Sequence, residues 1–132
     1  MEKKCPCCSG KTYADCCKPY HDGALPPTAL DLMRSRYSAY ALQKADYIIQ
    51  TTHPNSPYFE KNREKWKKGI LEFSRTTEFL KLEILESEET QVKFAAYLRQ
   101  KEGSFILEEK SQFQKIDGKW LYLTGQVSTR PA

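Results

Sequence analysis

The chain has 132 residues, 39% hydrophobic and 29% charged, with a formal net charge of +4, which suffices for one modest core plus a small appendage. No run approaches the roughly twenty apolar residues of a membrane span, and Met1-Glu-Lys-Lys-Cys5 lacks the apolar stretch of a secretory signal. A soluble, cytoplasmic protein is expected, and reduced cysteines fit that compartment.

All five cysteines, Cys5, Cys7, Cys8, Cys16 and Cys17, fall within the first seventeen residues. A disulfide framework would spread an even number through a small secreted domain, whereas this odd, local cluster reads as a metal knot. So short a segment cannot bury enough apolar surface to fold without a cross-link, and zinc supplies one. Lys3, Lys4 and Lys11 favour thiolates, and Ser9-Gly10 lets the chain turn back between the two halves. Cys5, Cys7, Cys16 and Cys17 are the preferred ligands. The spacing leaves two substitutes open: Cys8, which gives a two-residue gap from Cys5, and His21, which follows Cys17 by three intervening residues. Four or more candidate ligands, with no obvious general base, argue for a structural rather than a catalytic zinc.

Pro19 to Pro27, with Gly23 and the Pro26-Pro27 pair, breaks both periodicities and reads as a connector, dividing a knot at 1–24 from a domain at 25–132. The spacing predicts a helix from Thr28, capped with Asp31, to about residue 43, with Leu30, Met33, Tyr37, Tyr40 and Ala41 on one stripe. A short helix over Asp46 to Thr51 ends at His53-Pro54-Asn55-Ser56-Pro57. A third spans roughly Tyr58 to Ser74, with Phe59, Trp66, Ile70 and Phe73 on its apolar side. From Thr77 the period becomes two. Leu80, Leu82 and Ile84 mark one strand, and Val92, Phe94, Ala96 and Leu98 a second. Phe105, Leu107 and Phe113 mark a third, and Trp120 to Val127 a fourth. Glu88-Glu89, Glu102-Gly103 and above all Asp117-Gly118 read as hairpin turns. Helices followed by an antiparallel meander predict an α+β fold with helices on one face of a curled sheet.

Such a fold encloses a pocket, so polar residues on apolar faces are candidates for its lining. Glu109 and Ser111 alternate in phase with Leu107 and Phe113, which aims a carboxylate at the core; Arg34, at the edge of the first helix's stripe, is its expected partner. Candidate pocket residues are Arg34, Tyr37, Tyr40, His53, Trp66, Glu109 and Ser111. An enzymatic reading makes His53 a general base oriented by Glu109, with Tyr37 or Tyr40 touching substrate. The segment Lys61-Asn-Arg-Glu-Lys-Trp-Lys-Lys68 raises an RNA- or ribosome-binding reading through Lys65, Lys67 and Lys68, against its simpler role as a solvated helix face.

The segment Cys5-Pro-Cys-Cys-Ser-Gly-Lys-Thr-Tyr-Ala-Asp-Cys-Cys17 resembles the SEC-C motif, best known at the C-terminal tail of the translocation ATPase SecA. That resemblance implies a zinc ligand set of Cys5, Cys7, Cys16 and Cys17, with Cys8 standing where the motif usually has glycine. Leu32-Met-Arg-Ser-Arg-Tyr-Ser-Ala-Tyr40, Ala45-Asp-Tyr47, Thr52-His-Pro54 and Asp117-Gly-Lys-Trp-Leu-Tyr122 extend the likeness to the YchJ family. This implies a SEC-C knot joined to a cone similar to nuclear transport factor 2, without implying a particular chemistry. SEC-C motifs of the translocation ATPase contact proteins such as the export chaperone SecB, so a protein partner is expected on the Lys11 to Tyr20 surface. Three readings follow: a non-catalytic zinc-stapled docking module fused to a cone that binds a small molecule, a small enzyme, and an RNA-associated factor. The first leads. Its expectations include a cone that keeps its thermal transition when zinc is removed, and an open sheet face available for a homodimer.

Overall fold

A computed structural model describes residues 3–132; Met1 and Glu2 of the expected knot lie outside the described residues. The elements are α1 (Lys18–His21), α2 (Ala29–Ala41), α3 (Ala45–Gln50), α4 (Arg63–Arg75), β1 (Glu78–Ser87), β2 (Gln91–Gln100), β3 (Gly103–Ile116) and β4 (Lys119–Pro131). The strands form one antiparallel sheet in the order β1-β2-β3-β4, with the helices preceding it in the chain, which is the α+β arrangement expected. Met33 and Tyr37 of α2, with Trp66 and Ile70 of α4, share one buried cluster with Leu82, Phe94, Leu98 and Phe113 of the sheet.

Local chemistry accounts for most boundaries. Thr28 caps α2, its hydroxyl accepting from the Asp31 amide at 3.1 Å and donating to the Asp31 carboxylate at 3.0 Å. Asn62 caps α4 by accepting from the Lys65 amide. That cap starts the helix at Arg63 rather than Tyr58; Phe59 instead sits in the preceding loop and packs edge-on against Trp66 at 5.1 Å. Asp117 and Gly118 both have positive φ, 50° and 80°, as a tight β3–β4 hairpin requires.

Two further expectations fail at identifiable points. β1 carries a register shift between Phe79 and Lys81, so Phe79 and Leu82 face inward while Leu80 is 45% exposed. The bulge breaks the simple alternation of Leu80, Leu82 and Ile84. The expected connector also contains structure, because Pro19 falls in the first turn of α1, where its missing N–H leaves no helical bond unmade.

Helix α2 is buried almost all round, including the polar residues Ser35, Arg36 and Ser38. The sheet covers the Met33 and Tyr37 side, and the cysteine knot covers Ser35 and Ser38. On the outer face of the sheet, Glu78 pairs with Arg99, Glu108 with Arg130, and Lys81 lies over the Tyr97 ring.

Candidate metal centre and interior cavity

The knot begins as a small loop closed by the Cys5 amide on the Lys11 carbonyl at 2.9 Å and by a bridge between Lys4 and Thr12. Two tight turns in it need left-handed backbone, at Cys8 with φ 62° and Gly10 with φ 89°. A second turn runs directly into α1, bringing Cys16 and Cys17 opposite Cys5 and Cys7. The four sulfurs of Cys5, Cys7, Cys16 and Cys17 lie within 4.8 Å of one another, Cys7 and Cys16 at 3.6 Å and Cys16 and Cys17 at 3.9 Å. Thiolates held about 2.3 Å from a tetrahedral ion are separated by about 3.8 Å, so the residues present fit such an ion.

The surrounding donors complete the case for a closed centre. Ser38 of α2 donates to Cys17 Sγ and lies equally close to Cys5 Sγ, both at 3.3 Å, and Ser9 Oγ is 3.1 Å from Cys16 Sγ. These are the hydroxyl contacts that orient thiolate ligands. Proton sharing with Cys17 draws Cys7 down to about 4 against the opposing effect of burial. The same interaction, followed by burial, holds Cys17 well above the thiol range, and burial lifts Cys16 to about 11. Four sulfurs this close do not all ionise unaided; a bound cation supplies the charge that lets them.

Neither substitute ligand belongs to the cluster. Cys8 is exposed and turns toward the Pro6 carbonyl, its left-handed φ explaining why the related motif prefers glycine there. His21 has both ring nitrogens committed: Nε2 donates to the Ser35 carbonyl at 2.8 Å and Nδ1 accepts from the Tyr13 hydroxyl at 2.6 Å. Its ring also meets Tyr47 edge-on at 4.7 Å, and Tyr47 Oη lies 2.7 Å from Ser35 Oγ. Arg34 donates from Nη1 to the Cys7 carbonyl at 3.1 Å, another tie between α2 and the knot. Cys5, Cys7 and Cys17 consequently belong to the same buried cluster as Leu32 and Ile48, and the knot is no loosely tethered tail.

A cavity of about 470 Å³ opens between the helices and the inner face of the sheet. Tyr37, Tyr40, Trp66, Glu109 and Ser111 line it; Arg34 and His53 do not. The charged side chain from α2 is Arg36, whose Nη1 donates to the Ile48 carbonyl at 3.1 Å, Thr51 Oγ1 at 2.7 Å and Thr52 Oγ1 at 3.2 Å. Its guanidinium carbon stands 4.7 Å from the centre of the Tyr122 ring. Tyr122 in turn donates to Glu109 Oε2 at 2.6 Å, and Ser111 donates to the same oxygen at 2.7 Å. Burial first, then the Glu109 charge, raises the Tyr122 hydroxyl far above its usual range. Gly125 makes this placement sterically feasible, since a Cβ there would collide with the Glu109 carboxylate.

Two expected pairings are therefore corrected. Glu109 is joined by Ser111 and Tyr122 rather than Arg34, which is turned to the knot. His53 does not meet Glu109: its backbone N–H donates to the Tyr122 carbonyl at 2.8 Å, and its Nδ1 accepts from the Asn55 amide at 2.9 Å. The imidazole stabilises the turn that docks the end of α3 on β4. Trp66 is buried and faces inward, so it is not presented for stacking on bases, and Lys67 beside it pairs with Asp46 at 3.3 Å.

Arg36 and Tyr122 are among the cavity residues the sequence reading missed, as is the exposed Glu60. Met33, Arg36 and Tyr40 stand at i, i+3 and i+7, so helix geometry singles out Arg36 over Arg34 once Met33 and Tyr40 are assigned inward. Tyr122 follows Trp120 by two positions on a predicted strand.

The cysteine cluster and the helix-lined sheet together define a SEC-C motif protein with a nuclear transport factor 2-like domain. The family model described as "YchJ, middle NTF2-like domain" matches residues 28–125. The UPF0225 protein of Sodalis glossinidius is 40% identical over 136 residues, covering 96% of this chain and 84% of the relative. That of Deinococcus radiodurans is 39% identical over 123 residues, covering 92% and 87%. In solution, a SEC-C motif containing protein from Rhodopseudomonas palustris has a similar structure, with a TM-score of 0.75, 33% identity, and coverage of 96% of this chain and 98% of that one. The crystal structure of a SEC-C motif containing protein from Psychrobacter arcticus gives a TM-score of 0.71 at 28% identity, covering 97% and 84%. The chain belongs to the YchJ (UPF0225) family.

Replacing Cys8 by glycine relieves a left-handed side chain without removing a ligand. Cys8→Gly is expected to leave metal content unchanged and raise stability by on the order of 0.5 kcal/mol, as read by elemental analysis and denaturant titration. Loss of metal would place Cys8 in the ligand set. His21 gives a pH prediction. Burial lowers its pKa from the ordinary 6.5, so the unfolded chain takes up the proton first. The stability His21 contributes is complete above pH 6.5 and is lost as pH falls from there toward the folded value. His21→Ala should cost about 2 kcal/mol at pH 7.5 through its two hydrogen bonds, with a smaller penalty at pH 5.5. An equal penalty at both pH values would contradict this assignment.

Proposed function

We propose that this chain is a zinc-stapled, non-catalytic binding protein, in which the knot fixes helix α2 and the cone holds a small molecule. Zinc is the ion of this reading because tetrahedral thiolate sites favour a borderline-soft cation without redox chemistry. Bound there, it supplies charge and cross-linking. Cys5, Cys7, Cys16 and Cys17 would hold it, while Ser9 and Ser38 orient the sulfurs. The five free cysteines accord with a reducing, cytoplasmic setting.

The observation that carries the ligand-binding part is the 470 Å³ cavity with Arg36 and Glu109 in its lining, a volume within the roughly 300–1,000 Å³ of small-molecule sites. Binding is favoured over catalysis because His53, the candidate base, is engaged with Asn55 instead of Glu109. A docking role belongs to the knot's outward surface. Its inner side is committed to α2, leaving Lys11, Asp15 and Lys18 exposed within the Lys11 to Tyr20 segment.

Because the knot shares its buried cluster with α2, chelation should lower the thermal transition of the whole chain by at least about 10 °C, or about 3 kcal/mol for this size. Tryptophan fluorescence reports it. A transition unchanged by complete zinc removal would restore the independent-tail view and reject the staple. For docking, a Lys11→Glu/Lys18→Glu variant that remains folded and zinc-loaded should lose protein partners captured by the wild-type chain. Equal capture by both would reject that surface.

A further inference from the structure

The arrangement of charges inside the cavity carries more than the presence of a ligand site. Arg36 is only 9% exposed, and its hydrogen bonds among the described residues all use Nη1. Nε and Nη2 have no protein acceptor among those bonds, leaving three of the five guanidinium N–H donors. Glu109 shows the complementary condition: Oε2 accepts from both Ser111 and Tyr122, and no hydrogen bond among the described residues reaches Oε1. Tyr37, elsewhere in the lining, is 5% exposed and its buried hydroxyl also has no partner among the described residues. Arg36 and Glu109 both line the cavity and Glu109 is half-buried, so their spare donors and acceptor are open to an occupant that completes them.

Tyr122 stands between the two charges, with Arg36 over its ring face and Glu109 at its hydroxyl. Arg36 and Glu109 form no ion pair with each other among the described residues. Besides the exposed Glu60, the charges in the lining are Arg36 and Glu109: an anionic ligand would gain Arg36 and be opposed by Glu109, and a cationic one would meet the reverse. A neutral group carrying an acceptor beside a donor satisfies both charges. The rest of the wall, including Tyr40, Trp66, Phe73, Phe79 and Phe94, suits a flat apolar body.

Resting on the ligand-binding reading above, we propose that the cavity selects an uncharged amphipathic molecule: a planar, largely apolar body ending in an amide, lactam or similar donor-acceptor edge. That edge accepts from Arg36 and donates to Glu109.

Four probes with one shared body test this on the full, zinc-loaded chain: 2-naphthamide, 2-naphthoate, 2-naphthylmethylammonium and 2-methylnaphthalene. Binding is followed by NMR titration of the Trp66 indole N–H and neighbouring amides. 2-Naphthamide should bind about tenfold or more tighter than each of the other three. Glu109→Gln keeps the side-chain shape and an acceptor for Ser111 and Tyr122 while removing the opposing charge. It should raise 2-naphthoate affinity about tenfold, because Arg36 then acts alone. If the variant does not fold, the wild-type series decides by itself. Equal or tighter binding of a charged probe or of 2-methylnaphthalene would overturn the neutral-head inference while leaving a ligand-binding cavity. Failure of every probe to shift the cavity resonances would overturn the ligand-binding reading as well.

Discussion

The Ser38 hydroxyl lies between two sulfurs of the knot, and the rest of the structure depends on what that contact represents: a helix with the cysteine cluster on one side and a β-sheet on the other. An amphipathic helix on a sheet ordinarily leaves its outer half to water. Helix α2 does not, because Arg34, Ser35 and Ser38 bind the knot while Met33, Arg36 and Tyr37 line the cavity. On the proposed reading, a metal cross-link through the four clustered cysteines would replace the apolar area that a seventeen-residue segment cannot provide for itself. The contacts from the knot to Arg34, Ser35 and Ser38 hold the helix from which the cavity's guanidinium projects.

This arrangement explains why the molecule tolerates an arginine at 9% exposure without a carboxylate directly upon it. Arg36 is held by the buried C-terminal end of α3, where the carbonyl of Ile48 and the hydroxyls of Thr51 and Thr52 act as acceptors. The C-terminal end of a helix favours a cation, which adds to those bonds. The segment after α3 is then fastened to β4, the Tyr122 amide donating to the Thr51 carbonyl and the His53 amide to the Tyr122 carbonyl, both at 2.8 Å. Knot, helices and sheet thus meet around Arg36 and Tyr122.

Much of the fold was legible in the sequence, because the apolar period changes from helical to alternating near Thr77 and Asp117-Gly118 is a local turn instruction. The cysteine cluster was legible for a similar reason: its ligands are close in sequence and chemically distinctive. Glu109 and Ser111 reach the cavity by the same alternation that places Leu107 and Phe113. Arg34 was exchanged for Arg36 because a pattern read for one buried face does not reveal that the knot covers the other. Leu80 was misplaced because a bulge in β1 leaves no mark in simple alternation. His53 looked chemically prominent as a lone histidine in the domain, yet its surroundings make it a turn-forming group.

Zinc K-edge X-ray absorption on the full chain purified without added metal tests the central claim most directly. The account predicts one zinc per chain with four sulfur neighbours at about 2.3 Å and no nitrogen neighbour, in keeping with a His21 ring committed to Tyr13 and Ser35. A metal-free protein, or a site with three sulfurs and one imidazole nitrogen, would contradict it.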